Sequence, residues 1–207
     1  MNKNIGKLIV ISAPSGTGKT TVVKKLLEIE NDMVASVSFT TRPKRDNEED
    51  GVDYYFVEKE VFKKMKNEGI FLEDAIVFGH FYGTKKDHIY ELLEMGKNVI
   101  LEIDWQGAKQ IREKMSECIL IFLIPPSKKV LLKRLKNRAT DSKQEIENRF
   151  SQAVQDLEQS GNFDYVLVND EINESVKNVA LCVKEGKGLI DQVENVQHAI
   201  ASFRETN

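Results

Sequence analysis

Four short runs along the chain are apolar at successive positions rather than at alternate ones: residues 8–11, 99–103 (interrupted only by Glu102), 119–124 and 165–168. A strand apolar on both faces belongs in a parallel sheet with helices packed on either side. Between these runs the apolar positions recur at helical spacing. The pattern predicts helices over about 18–30, 108–115, 128–137 and 144–159, and a last helical stretch over 174–203 broken near Gly186 and Gly188. Strand and helix alternate, so the expected architecture is an open α/β fold.

Residues 34 to about 95 depart from that rhythm. Three β-rich pieces, 34–39, 54–57 and 70–78, are separated by the polar run from Lys44 to Asp50. Many of the aromatics gather here, among them Phe39, Tyr54, Tyr55, Phe56, Phe62, Phe71, Phe78, Phe81, Tyr82 and Tyr90. The stretch reads as a small mixed lobe inserted into the α/β core. The polar residues 137–143, between two helices, read as a flap.

Composition narrows the possibilities. With 207 residues the chain is one domain, or one core carrying an inserted lobe, and buries enough surface to need no disulfide or metal. Lys and Arg total 30 against 33 Asp and Glu, a net charge of −3, which argues against nucleic acid as a partner. No run approaches the length of a membrane span, and the N-terminus lacks the layout of a signal peptide. The two cysteines, Cys118 and Cys182, sit in apolar runs and read as reduced structural thiols of a cytoplasmic protein.

The first chemical signal is Ala13-Pro14-Ser15-Gly16-Thr17-Gly18-Lys19-Thr20, which follows a buried strand and opens a helix. The phosphate-loop pattern is Gly-x-x-x-x-Gly-Lys-Ser/Thr, met here except that Ala13 stands at its first position. Gly16 and Gly18 let backbone N–H groups point at phosphate oxygens, and the helix N-terminus favours the negative charge. Lys19 is expected on the β and γ phosphates, Thr20 on magnesium, and Thr21 on the nucleotide. Such a loop serves GTPases, ATPases, motors and small-molecule kinases alike, so the rest of the chain must choose.

Four further segments choose: Ser36-Val37-Ser38-Phe39-Thr40-Thr41-Arg42-Pro43-Lys44-Arg45; Gly51-Val52-Asp53-Tyr54-Tyr55-Phe56; Phe71-Leu72-Glu73-Asp74-Ala75 with Tyr82-Gly83-Thr84; and Ile103-Asp104-Trp105-Gln106-Gly107. Arginines three apart after a strand suit a phosphate held by fork-shaped donors. Taken singly, other readings stand. Glu73 alone is a surface charge, Tyr54 and Tyr82 are core aromatics, and Arg42 and Arg45 pair with Glu48-Glu49-Asp50. Taken together and in this order, from about Lys7 to Asn173, the segments resemble the guanylate kinases, nucleoside monophosphate kinases that phosphorylate GMP with ATP.

The resemblance implies a P-loop parallel-sheet core with helices on both faces (5–33 and 96–207), a GMP-binding lobe (about 34–95) and a helical lid (about 134–150), in a single domain spanning 1–207. It assigns Arg42, Arg45, Tyr54 and Tyr82 to the GMP phosphate, and Ser38, Glu73 and Thr84 to the guanine. One carboxylate accepts from both N1–H and the N2 amine of guanine. Adenine would turn a lone pair toward it, and the unpaired buried group would reject the wrong base. Glu102, where the family usually has Asp, and Asp104 match an acidic pair on the GMP side, with Asp104 reaching the guanine edge or magnesium through water. Arg134, Arg138 and Arg149 match the lid arginines, and Asn169, with Asp170, the segment near the adenine of ATP. The lid reads Asn137-Arg138-Ala139, without the glycines often found there.

Lys19, Arg42, Arg138 and Arg149 are thus the expected catalytic residues, with Mg2+ as cofactor and Arg149 also facing GMP. A kinase for another nucleoside monophosphate and an inactive guanylate-kinase-like binding module are the alternatives. A GTPase would need an Asn-Lys-x-Asp segment, which Asn169-Asp170-Glu171 does not match.

Overall fold

The structure, a computed structural model, describes residues 5–136, 143–185 and 193–204. In chain order the strands are β1 (Leu8–Ser12), β2 (Met33–Ala35), β3 (Phe39–Thr40), β4 (Tyr55–Phe56), β5 (Phe71–Val77), β6 (His80–Lys85), β7 (Asn98–Glu102), β8 (Ile119–Ile124) and β9 (Tyr165–Val168). The helices are α1 (Lys19–Ile29), α2 (Lys59–Asn67), α3 (Lys86–Glu94), α4 (Trp105–Lys114), α5 (Lys128–Lys136), α6 (Lys143–Glu158), α7 (Ile172–Glu185) and α8 (Val193–Arg204). They divide into two compact units, Met1–Leu8 with Asp32–Cys118, and Ile9–Asn31 with Ile119–Asn207.

In the second unit β8 pairs in parallel with β1, Ile9 opposite Ile119, and with β9, Ile121 opposite Tyr165. Every residue of β1 is buried, as are Leu120 to Ile124 of β8, which accounts for their unbroken apolar sequence. Helix α7 buries Val176, Val179, Ala180 and Val183, one stripe at helical spacing. Phe122, Ile124, Leu157 and Ala199 form one core cluster, and Leu131, Leu135 and Ala153 another.

In the first unit β2 pairs in parallel with β7, and a four-stranded mixed sheet has the order β4-β3-β6-β5. Phe62, the only buried residue of α2, stacks on Phe71 with ring centroids 4.5 Å apart, and Phe81 lies 5.4 Å from it. The mixed fold class expected from the sequence is the one found. The piece 34–39, read as one β segment, is instead two strands: β2 pairs with β7 and β3 joins the mixed sheet. Its middle, Ser36–Ser38, is the crossing between them, and Ser38 turns its hydroxyl inward. The pattern did not reveal α2, whose buried face is a single residue, nor α3, which buries only Ile89 and Leu93. The expected flap (but for Lys143), Arg138 and the helix break near Gly186 and Gly188 lie outside the described residues.

Candidate active site

The residues expected to meet the acceptor nucleotide fall in the first unit, except Arg149, which lies on α6 in the second. Strands β5 and β6 form a hairpin whose turn, Phe78-Gly79, has φ of 49° and 79°, the left-handed pair that a two-residue hairpin requires. Near its open end the register slips: Phe71 faces Lys85, yet Glu73 faces Thr84. An extra residue in β5, a bulge, brings Glu73 and Thr84 opposite one another; without it Glu73 would face Gly83. The Thr84 hydroxyl donates to Glu73 Oε1 at 2.6 Å, and Ser38 Oγ lies 3.3 Å from Thr84 Oγ1. With the Thr84 proton given to Glu73, Ser38 is the donor in the second bond. All three residues are buried, Glu73 to 2% exposure.

Burial pushes the Glu73 carboxyl up to about 7, helped by Asp104 and Asp74 and opposed by the Thr84 hydrogen bond and Lys114. Helix α4 supplies the other wall. Asp104 caps it, Oδ1 accepting from Gly107 N at 2.9 Å and Oδ2 from Gln106 Nε2 at 2.9 Å. Gln110 clasps the neighbouring strand through both ends of its amide: Nε2 donates to Asp74 O at 2.7 Å and Oε1 accepts from Asp74 N at 3.2 Å. Gln110 lies one turn beyond Gln106 on the same helical face, a spacing present in the sequence just past the segment that ends at Gly107.

Arg42 and Arg45 follow β3. Arg42 Nη2 pairs with Glu48 Oε1 at 2.7 Å, and its guanidinium carbon lies 5.5 Å from the Tyr54 ring centroid and 5.7 Å from that of Phe56. Burial works most strongly against the Arg42 charge, but the Glu48 hydrogen bond and charge, together with Tyr82, outweigh it and hold the group above its usual range. Tyr82 meets Tyr54 edge-on, with ring centroids 5.9 Å apart. Burial, then the Glu102 carboxylate, pushes the Tyr54 hydroxyl up to about 12, so at neutral pH it is a proton donor. The structure therefore gathers Arg42, Arg45, Tyr54 and Tyr82, and pairs the arginines with Glu48 of the acidic run.

The residues expected to meet ATP fall in the second unit. Gly16 and Gly18 have φ of 87° and 100°, while Ala13 is outside the left-handed region, so the first position of the pattern accepts a Cβ. The Thr17 carbonyl accepts two hydrogen bonds, from Asn169 Nδ2 at 2.7 Å and Arg134 Nη1 at 2.9 Å. Arg134 Nη1 also donates to Asn169 O at 3.0 Å. A guanidinium and an amide thus fasten the loop to the end of β9. Thr17 Oγ1 and Asn169 Oδ1 are buried and lack partners among the described residues. Arg149, on α6, donates to Ser15 Oγ at 3.4 Å. Lys19, Thr20 and Thr21 form the first turn of α1, with Thr20 and Thr21 exposed.

The sequence model of the guanylate kinase family matches residues 5–186. The chain belongs to the guanylate kinase family. A guanylate kinase of Legionella pneumophila (strain Lens) is 42% identical over 203 residues, 98% of this chain and 97% of the relative. One from Hydrogenovibrio crunogenus is 48% identical over 168 residues, 81% of this chain and 82% of the relative. The crystal structure of guanylate kinase from Anaplasma phagocytophilum superposes with a TM-score of 0.74 at 34% identity, covering 89% of this chain and 87% of that one. Membership makes this chain a kinase whose substrates are ATP and GMP. No helix among the described residues is long and apolar enough to cross a membrane. Both cysteines are buried, and neither is in a disulfide among the described residues.

Proposed function

We propose that the two sets of side chains divide the reaction ATP + GMP to ADP + GDP between them. Guanine is read by Glu73, which accepts from N1–H and the N2 amine, with Ser38 and Thr84 completing the buried polar line. The buried Glu73 carboxyl paired with Thr84 is the observation that carries this reading, since an isolated charge is not buried to that degree without a partner to meet. Arg42, Arg45, Tyr54 and Tyr82 hold the GMP phosphate, and Glu102, Asp104 and Arg149 border it.

In the donor half, residues Ala13 to Thr21 form the phosphate loop, Asn169 and Arg134 keep it in shape beside the nucleotide, and Lys19 meets the β and γ phosphates. The acceptor phosphate oxygen is already ionised, so no general base is needed. Catalysis rests on alignment and on neutralising charge with Lys19, Arg42, Arg149 and Arg138. Magnesium binds through few protein oxygens, with phosphates and waters supplying the rest. Among the described residues no acidic or histidine cluster would hold a metal alone, whereas the exposed Thr20 hydroxyl next to Lys19 suits a phosphate-bound magnesium. Thr20 would hold it directly and Asp104 through water. When bound, the ion screens the phosphate charge. Residues from about 134 to 150 would act as the lid of a single domain whose acceptor lobe spans about 34–95. The setting is purine nucleotide metabolism in the cytoplasm.

The test is ADP production from ATP and magnesium with GMP, AMP, UMP and dTMP offered in turn. Turnover with GMP alone is the expected result. ATP turnover indifferent to GMP, or equal with AMP, would overturn the reading.

A further inference from the structure

The carboxylate of Glu48 touches both arginines proposed above for the acceptor phosphate. Its Oε1 lies 2.7 Å from Arg42 Nη2 and 3.5 Å from Arg45 Nη1, and its Oε2 accepts from the Arg45 backbone N at 2.9 Å. The Glu48 N–H in turn donates to Arg45 O at 3.1 Å, closing the turn 45–48. The Glu48 side chain is 11% exposed and that of Arg42 13%, while Arg45 remains 48% exposed. Burial most strongly opposes the Glu48 charge, but the bonds from Arg42 and the Arg45 backbone, with the charges of both arginines, together outweigh it and hold the carboxyl below its usual range.

Two arginines gathered at one phosphate site repel each other until the phosphate arrives. A partly buried carboxylate between them offsets that repulsion and fixes each guanidinium. A rival reading takes a carboxylate on phosphate-binding arginines as a stand-in that departs when substrate binds. The backbone argues otherwise. Glu48 is joined to Arg45 by reciprocal main-chain and side-chain bonds, so its departure would open the turn that presents Arg45.

We infer that Glu48 is a positioning residue of the acceptor site: it stays in place when GMP binds and holds Arg42 and Arg45 in the geometry that receives the phosphate. The inference rests on the reading of Arg42 and Arg45 as phosphate ligands.

The experiment compares GMP with guanosine, which has the same base and no phosphate, by calorimetry on the full chain, alongside steady-state kinetics. Glu48→Ala is expected to weaken GMP binding ~10–100-fold, the loss of a charged hydrogen-bond pair, and to leave guanosine binding and the KM for ATP within about twofold. Glu48→Gln, which keeps one acceptor oxygen, is expected to recover part of that loss. Equal weakening of GMP and guanosine would overturn the inference in favour of a general role in folding the lobe. Tighter GMP binding by either variant would overturn it in favour of a departing stand-in, and unchanged binding would overturn it outright. If Glu48→Ala fails to fold, Glu48→Gln decides by the same ratio. A parent protein that binds guanosine and GMP equally would overturn the phosphate-site reading, and this inference with it.

Discussion

A methyl group on Gly107 would lie 2.4 Å from Glu73 Oε2. The first turn of α4 thus lacks a side chain just where the Glu73 carboxylate stands, and the two positions answer to each other across the acceptor site. Gly107→Ala should move the carboxylate rather than the helix, since Glu73 is the side chain and Ile103 Cδ1, at 3.0 Å, blocks the other way out. The expected result is a GMP KM raised ~10-fold or more with the KM for ATP unchanged. A destabilisation of ~1–3 kcal/mol, typical of overpacking, should appear in urea unfolding.

Protonation of Glu73 should show in ligand binding. The carboxyl titrates at about 7 in the folded protein, and only the ionised form accepts from both N1–H and N2 of guanine. Guanosine affinity should fall as pH drops below about 7, approaching tenfold per unit, and Glu73→Gln should bind weakly with a flat profile. Guanosine is the ligand of choice because the GMP phosphate titrates near 6 and would blur the result.

The same group affects stability with the opposite sense. Its folded value of about 7 lies above the ordinary 4.5, so the folded state holds a proton that the unfolded state has lost between those values. Its contribution is full below about 4.5, declines as pH rises to about 7 and is then gone, a total on the order of 3 kcal/mol. Urea unfolding of parent and Glu73→Gln across this range should show the parent losing stability relative to the variant as pH rises.

Asn169→Ala removes one of the two donors to the Thr17 carbonyl and leaves the Arg134 bond in place. The expected cost is about 1 kcal/mol, seen as a several-fold rise in the KM for ATP with the KM for GMP unchanged. If both KM values rise together, Asn169 serves the whole fold rather than the loop.

Arg149→Met keeps the length and apolar stem of the side chain while removing its charge. A loss of ~10²–10³ in kcat with KM values within a few-fold is expected if the guanidinium meets the transferred phosphoryl. A rise in KM without loss of kcat would assign it to ground-state binding.

The parallel strands were legible in the sequence because burial on both faces forces continuous apolar runs, as in β1 and β8. Helix α7 was legible because it buries a regular stripe, Val176, Val179, Ala180 and Val183. Where burial is sparse the pattern is silent, as in α2, whose one inward residue is Phe62. The division of 34–39 into two strands was hidden because Ser36-Val37-Ser38 has the same alternation whether it continues a strand or leaves it. Among the candidate site residues, motif order picked out both the charged ones and the hydroxyl-bearing Ser38, Tyr54, Tyr82 and Thr84. It could not reveal the bulge that sets Glu73 opposite Thr84, since register depends on the partner strand. Nor did it single out Gln110, whose part is to hold a neighbour, or give Gly107 its part of making room for one. For Glu48 it suggested an ion pair, and the bond to the Arg45 backbone came only from the fold.

Ser38, Arg42, Arg45, Glu48, Tyr54, Glu73, Thr84 and Asp104 all come from a single uninterrupted stretch of the first unit, while the donor-side residues flank it on both sides in sequence. In hereditary terms the acceptor half is one cassette. A single recombination event could exchange it whole, bulge and supporting glutamines included, and so give an existing ATP-using scaffold a new acceptor in one step rather than by scattered point changes.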